Sequence, residues 1–322
     1  RERVKNIILY SSEELTMETK KSTINFDSID VENNKYKEVK LNELLSKQLK
    51  KDLNIKWTYN STGIEGNSYT LNQTRILLAE GITIGGKRLV EHLEIIGHSE
   101  AIEYLEDIIE NNVELTEREI KNIHSLVTKD IENVNSGAYR NNAVYISGSK
   151  HIPPQPYLVS EKMEELMLWY NNESKNIHPI ERAAILHGEF VSIHPFIDGN
   201  GRTARLLLNF ELMKNNYPAI IIEIEEREKY FDALEVGNLS GNWDKFTEFV
   251  REKCEERIDY MNEFKISELK SRKWNKFKER LQDSDEEISE IVEDMKDDFT
   301  EHEIELLLSE TGRDNDTKTK VK

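Results

Sequence analysis

Twelve consecutive residues, His194-Pro-Phe-Ile-Asp198-Gly-Asn-Gly-Arg202-Thr-Ala-Arg205, stand directly before an apolar run of Leu206, Leu207, Leu208, Phe210, Leu212 and Met213. Glycines at 199 and 201 let the backbone turn tightly and bring its N–H groups close to an anion. The run that follows reads as a helix whose positive end faces that loop. The chain therefore has to fold around an anion-binding loop that feeds a helix.

Composition narrows what can bind there. The 322 residues are 37% apolar, enough for a core, and 33% charged with a net charge of −18. Such a surface repels nucleic acid and anionic lipid, so neither nucleic acid nor membrane is an expected partner and any phosphate site must be a local positive pocket. The one cysteine, Cys254, forms neither an internal disulfide nor a thiolate metal cluster, which suits a reducing compartment. It reads as an inert residue in a helix around 245–257. No run approaches the roughly 18 to 20 apolar residues of a membrane span, and residues 1–20 lack a signal-peptide segment. A cytoplasmic location is the expectation, although the chain starts at Arg1 rather than Met, which leaves open a lost targeting segment.

Residues 1–39 are polar, with a weakly alternating stretch at 23–31, and read as an irregular arm. From Leu41 the positions Leu45, Leu49, Leu53 and Trp57 recur at i+4, one stripe of a packed helix. Capping boxes at Thr70–Gln73 and Thr116–Glu119 open two helices, and Gly81 stops the first. Helices are expected near 71–80, 88–111, 117–130, 160–174, 179–192, 202–215 and 228–260, giving an all-α body over 40–264. The exception is a short β-hairpin of 143–146 and 150–152 around Ser147-Gly-Ser149, closed off by Pro153, Pro154 and Pro156. Ile220–Ile222 reads as a short extended piece. Residues 265–322 form a charged, acidic tail. Its Ile288, Ile291, Val292, Met295 and Phe299 lie at near-helical spacing, which reads as a solvated acidic helix with a partner-binding segment as the alternative, and 311–322 are expected to be disordered.

Gly199-Asn-Gly-Arg-Thr-Ala204 also fits the dinucleotide fingerprint, with Glu223 about 20 residues on. That fingerprint must follow a buried strand, whereas 180–193 have helical composition and His194-Pro195 interrupts any strand. There is no P-loop and no H-E-x-x-H. His187 and His194 are seven apart, yet no third metal ligand lies at helical spacing, so His187 reads as a packed or supporting residue. His194 stands before the anion loop, where a neutral imidazole takes a proton from an incoming hydroxyl. Asp198 is a hard oxygen ligand suited to Mg²⁺ together with substrate phosphates. Asn200 and the loop N–H groups stabilise a phosphorus centre, while Arg202 and Arg205 engage outer phosphates. The reaction these parts suggest is transfer from a nucleoside triphosphate to a hydroxyl.

His194–Arg205 matches the signature H-P-F-x-[DE]-G-N-G-R-x-x-R at every specified position, and the chain resembles the Fic-domain adenylyltransferases over about residues 57–250, through Gly137-Ala-Tyr-Arg140, the hairpin and Tyr217-Pro218. The resemblance implies an all-helical Fic fold that transfers AMP from ATP to a Ser, Thr or Tyr hydroxyl of a target protein, with pyrophosphate leaving. It makes His194 the base, Asp198 the Mg²⁺ ligand, and Gly199, Asn200 and Gly201 the anion cradle, with Phe196 anchoring the loop. It also turns the hairpin residues Val144, Tyr145, Ile146 and Ile152 into a flap that docks the target by strand addition. Asn238 and Phe231, or its neighbour Tyr230, stand where relatives contact the adenosine.

Ser61-Thr-Gly-Ile-Glu65-Gly66 fits the inhibitory pattern [ST]-x-x-x-E-[GN], on a helix near 57–66 as in class II members. The resemblance implies that Glu65 pairs with Arg205 in place of the ATP γ-phosphate, with Ser61 steadying Glu65. Self-modification, removal of AMP by a water placed by Glu65, and a homodimer are further implications. Phosphotransfer is the nearest alternative, but the death-on-curing relatives carry lysine where this chain has Gly201. Another donor such as UTP or CDP-choline, and a non-catalytic scaffold, complete the alternatives.

Overall fold

The computed structural model describes residues 24–38, 41, 43–132, 134–283 and 287–311. Twelve α-helices run through them in chain order: α1 Asp27–Glu38, α2 Glu43–Ile64, α3 Leu71–Glu80, α4 Leu89–Glu110, α5 Glu117–Val127, α6 Val159–Leu168, α7 Pro179–Ile193, α8 Asn200–Lys214, α9 Arg227–Ser240, α10 Asp244–Asp283, α11 Ile288–Met295 and α12 Glu301–Glu310. The chain forms two compact units, one holding residues 47–257 with the start of α1, the other residues 32–46 with the chain from Ile258 onward.

The first unit is built around α8. Nearly every residue from Asn200 to Leu212 is buried, the charged Arg202, Arg205 and Glu211 included, so this helix lies at the centre of the unit. It packs along α7, with α4 and α5 also against it. Leu206, Leu207 and Phe210 join Leu105, Ile120, Met163 and Phe190 in one core. The Asn209 side chain accepts from the Ile220 N–H (2.9 Å) and donates to the Ile220 carbonyl (2.8 Å), which ties the extended 217–223 stretch to α8.

Several expectations change here. The stretch read as part of an irregular arm contains α1, whose start is held by Phe26 stacked on His178 (3.9 Å) and by Asp30 accepting from His178 and the Tyr217 hydroxyl. Residues 1–23 and 39 lie outside the described chain. The single helix expected at 228–260 is two, because Gly241 turns left-handed at φ 70° and ends α9. Thr116 caps α5, but the Glu119 carboxylate does not close the box; it accepts instead from Tyr104 and Asn122. The helix expected at 160–174 runs as α6 and then changes pitch into a π-turn over Trp169–Glu173.

The hairpin is also corrected. Residues 143–155 contain a turn at Ser147–Gly148, but no strand occurs among the described residues. Bonds to other parts of the chain tie the segment down instead. Glu235 accepts from the Ser149 hydroxyl and from the Lys150 N–H (2.8 Å), and His151 Nε2 bonds the Ser192 carbonyl (2.8 Å).

In the second unit the apolar stripe expected on a solvated helix is buried. Ile291, Met295, Phe299, Ile304, Leu307 and Leu308 close a small core with Phe277 and Leu281 of α10. Lys270–Glu303 (2.7 Å) and Lys278–Glu310 (2.9 Å) flank it. Residues 312–322, where disorder was expected, lie outside the described chain.

Candidate active site

The end of α7 delivers His194. Pro195 forbids another helical turn, and His194 itself sits in the left-handed region at φ 50°, ψ 59°, its N–H bonded to the Phe190 carbonyl (3.0 Å). Phe196 then drops into the core, fully buried. The Asn200 side chain closes the loop from the other end: its Oδ1 accepts from the Phe196 N–H and its Nδ2 donates to the Phe196 carbonyl, both at 2.9 Å. Asn200 is thus a staple, and its main-chain N–H remains at the first turn of α8. A helix, α7, precedes the glycine-rich loop, which removes the dinucleotide reading.

His124, which the sequence reading passed over, braces the loop from α5. Its ring lies flat on Phe196 at 3.6 Å and 6°, Nδ1 accepts from the Gly137 N–H (2.9 Å), and Nε2 faces the Asp198 carbonyl at 2.9 Å. That pairing assigns the neutral Nε2–H tautomer. Gly199 packs against the same ring at φ 77°. A Cβ there would lie 2.8 Å from Thr128 Cγ2, so Gly199→Ala is expected to cost about 2 kcal/mol, read as a lower denaturant midpoint.

Asp198 points outward, its side chain half exposed. Oδ1 accepts from the Gly199 N–H (2.6 Å) and Oδ2 from Arg202 (3.1 Å). A single accessible carboxylate beside a helix N-terminus suits Mg²⁺, which takes one or two carboxylates and completes its shell with phosphate oxygens and water. No cluster of three or more metal-ligating residues occurs among the described residues. Arg202 is buried and also faces Glu94 (3.6 Å), which in turn accepts from Asn67 (2.8 Å).

Arg205 is enclosed. Its Nε donates to the Ser61 hydroxyl (3.0 Å), and Nη2 donates both to the Ser61 carbonyl (2.7 Å) and to Glu65 Oε1 (2.8 Å). Nη1 approaches the Tyr230 hydroxyl (3.4 Å), which bonds His187 Nε2 (3.0 Å). Burial opposes the Arg205 charge, but the Glu65 carboxylate and Tyr230 more than offset it and its pKa is raised. Ser61 therefore holds the arginine, where the sequence reading had it steady Glu65. The Glu65 carboxylate rests on Gly201, where a Cβ would lie 2.3 Å from Oε1. An internal anion lies against the first turn of α8.

The remaining expected residues divide. Tyr230 is buried behind Arg205, Phe231 is 37% exposed under Arg227, and Asn238 has a buried Oδ1 without a hydrogen bond. Tyr145 and Ile152 are exposed at 85% and 80% on the segment that Glu235 fastens. Cys254 is buried in α10.

Burial also sets the histidines. It pulls His194 down to about 4, with the Val191 carbonyl opposing and the Arg140 charge assisting, and His124 down to about 4 as well. His98 and His187 lie well below their ordinary value of 6.5 for the same reason. All four are neutral at pH 7. The unfolded chain takes up their protons near pH 6.5 and the folded chain does not, so stability is full above that pH and falls below it. Urea titrations at pH 7 and 5 are expected to show a stability lower at pH 5 by roughly 2 kcal/mol for each of His124 and His194; equal midpoints would show that these rings protonate normally in the fold.

A model described as the Fic/DOC family matches residues 114–212, from the turn before α5 to the end of the α8 core. A solved structure of Fic-1 from C. elegans superposes with a TM-score of 0.65 at 32% identity, over 73% of this chain and 69% of that one. The chain belongs to the Fic/DOC family. A Fic domain containing signaling protein from Bacteroides thetaiotaomicron shares the same Fic fold at a TM-score of 0.68 and 26% identity, over 74% of this chain and 96% of that one. The protein adenylyltransferase Fic of Drosophila willistoni is 38% identical over 214 residues, 66% of this chain and 42% of that protein. The chain thus spans about two fifths of the length of the curated Fic relatives it matches. Ser61 and Glu65 lie before the matched Fic stretch. No helix among the described residues is long and apolar enough to cross a membrane.

Proposed function

We propose that this chain is an autoinhibited protein adenylyltransferase, moving AMP from ATP to a Ser, Thr or Tyr hydroxyl of a target protein or of itself. The observation that carries the reading is the Glu65 carboxylate seated on Gly201 and Arg205, on the first turns of the helix that follows the loop from a neutral His194. A site that holds a carboxylate at a helix N-terminus and a buried arginine is built for phosphate oxygens. Its other parts fit displacement at phosphorus. The acceptor oxygen bonds the α-phosphorus, its proton passes to the His194 imidazole, and the bond from that phosphorus to the β-phosphate oxygen breaks, pyrophosphate leaving with the electron pair. The α8 N–H groups and Arg205 bind the phosphates, while Asn200 and His124 keep the loop rigid. Mg²⁺, held by Asp198, supplies neutralisation of phosphate charge when bound. Phe231 and Asn238 on α9 supply the nucleoside contacts. Residues 143–153 present the target.

Gly201 favours nucleotidyl over phosphoryl transfer, since a lysine there is what the phosphotransfer alternative requires. Incubation with Mg²⁺ and ATP labelled at either the α- or the γ-phosphate decides the matter. Label is expected on protein from the α-position; label from the γ-position alone would establish phosphotransfer, and none from either would leave a scaffold.

A further inference from the structure

Arg140 lies between α5 and α6 and is 4% exposed. Its hydrogen bonds go to main-chain carbonyls. Nε donates to His194 (2.7 Å), Nη2 to Pro154 (2.6 Å) and Ile193 (3.4 Å), and Nη1 to Asn142 (3.0 Å). Its own N–H donates to the Pro195 carbonyl (2.9 Å). Burying a guanidinium strips its hydration, and a set of well-placed acceptors has to compensate. Two of these acceptors, Ile193 and His194, lie at the C-terminal end of α7, where the helix dipole favours a cation.

That explains how the charge is tolerated; what the charge holds is more informative. The Asn142 and Pro154 carbonyls bracket residues 143–153, the segment assigned to target docking. The His194 carbonyl belongs to a non-glycine residue at φ 50°, a backbone state that persists only where its surroundings fix it. One planar fork therefore grips both ends of the docking segment and the backbone of the base.

We propose that Arg140 is a positioning residue that sets the His194 imidazole in register with the target-docking segment. This rests on the reading of His194 as the base and of 143–153 as the docking segment. A lysine keeps the charge but lacks the fork that reaches carbonyls on two sides.

The test uses the full chain carrying Glu65→Gly, with self-labelling from α-labelled ATP and Mg²⁺ followed in a single turnover against ATP concentration. Adding Arg140→Gln is expected to lower the limiting rate by about 100-fold while the half-saturating ATP concentration stays put, because the bonds of Arg140 lie on α7 and on residues 142–154 rather than on α8. Arg140→Lys is expected to lose about tenfold. Hydrogen exchange of the same proteins should speed up in residues 143–152 and 193–196 and stay unchanged in 201–212. A limiting rate equal to the parent's, a parallel loss of rate and ATP affinity, or unchanged exchange in the two segments each overturns the proposal. If Arg140→Gln does not fold, Arg140→Lys decides by the same two readouts. If the Glu65→Gly parent transfers no label, the adenylyltransferase reading fails, and the exchange pattern still supports or overturns the positioning role.

Discussion

Replacing His194 by alanine is expected to lower label transfer from the α-phosphate by about 10²- to 10⁴-fold, the range a positioned general base contributes. The imidazole is neutral at pH 7, since burial brings it down to about 4, so a ring nitrogen lone pair is open to a proton across the whole physiological range. It also stands one residue after α7 and four before Asp198, within the loop that Asn200 and His124 hold rigid. The backbone complicates alanine. At φ 50° a non-glycine residue is strained, and asparagine tolerates that region better than alanine does. His194→Asn is therefore the cleaner variant: it keeps the left-handed turn and removes the base. Equal losses in both variants, with ATP still bound, assign the effect to proton transfer. Retention of activity in His194→Asn would mean that this side chain takes no proton.

Glu65→Gly is expected to act in the opposite direction, raising transfer by about tenfold to a hundredfold, the size of a typical coupling between a control element and a site. Glu65 is the acceptor an incoming phosphate would replace, and it lies against both Gly201 and Arg205. Arg205 is expected to keep its place when that carboxylate goes. Two of its bonds run to Ser61, one to the hydroxyl and one to the carbonyl, and Tyr230 supports Nη1. The guanidinium stays aimed at the cradle. Ser61→Ala in the Glu65→Gly background should consequently cost part of the gain, read as a higher half-saturating ATP concentration. An unchanged rate in Glu65→Gly would end the autoinhibition reading and leave the transfer reading untouched.

What could be read from the chain followed sequence distance. The loop from His194 to Arg205 is contiguous, and its turn, its buried Phe196 and the helix behind it were legible because their causes lie within a dozen residues. The Thr70 capping box and the Gly81 stop were legible for the same reason, and both form. His124 and Arg140 were missed as working parts because their partners, Asp198 and His194, stand 74 and 54 residues away. Residues 143–152 looked like a hairpin from their alternation and turn, yet no ladder forms there and the Lys150 N–H donates to Glu235, 85 residues on. The start of α1 has polar composition and depends on His178 and Tyr217. In the tail the stripe itself was legible, but the residues it closes on, Phe277 and Leu281, lie in a densely charged helix and gave no sign of a core.

The last turn of α2 is itself fastened. Arg227 donates to the Ile64 carbonyl (2.8 Å), and Asn60 accepts from the Ile224 N–H (3.1 Å). Glu65 is thus a tethered ligand for Arg205, present at an effective concentration on the order of millimolar or above and never diluted. Nucleotide supply is then a weak lever on this site. The intact chain should need more ATP than Glu65→Gly to reach half its maximal rate, and a force that bends or displaces the end of that helix would remove the difference at any ATP level.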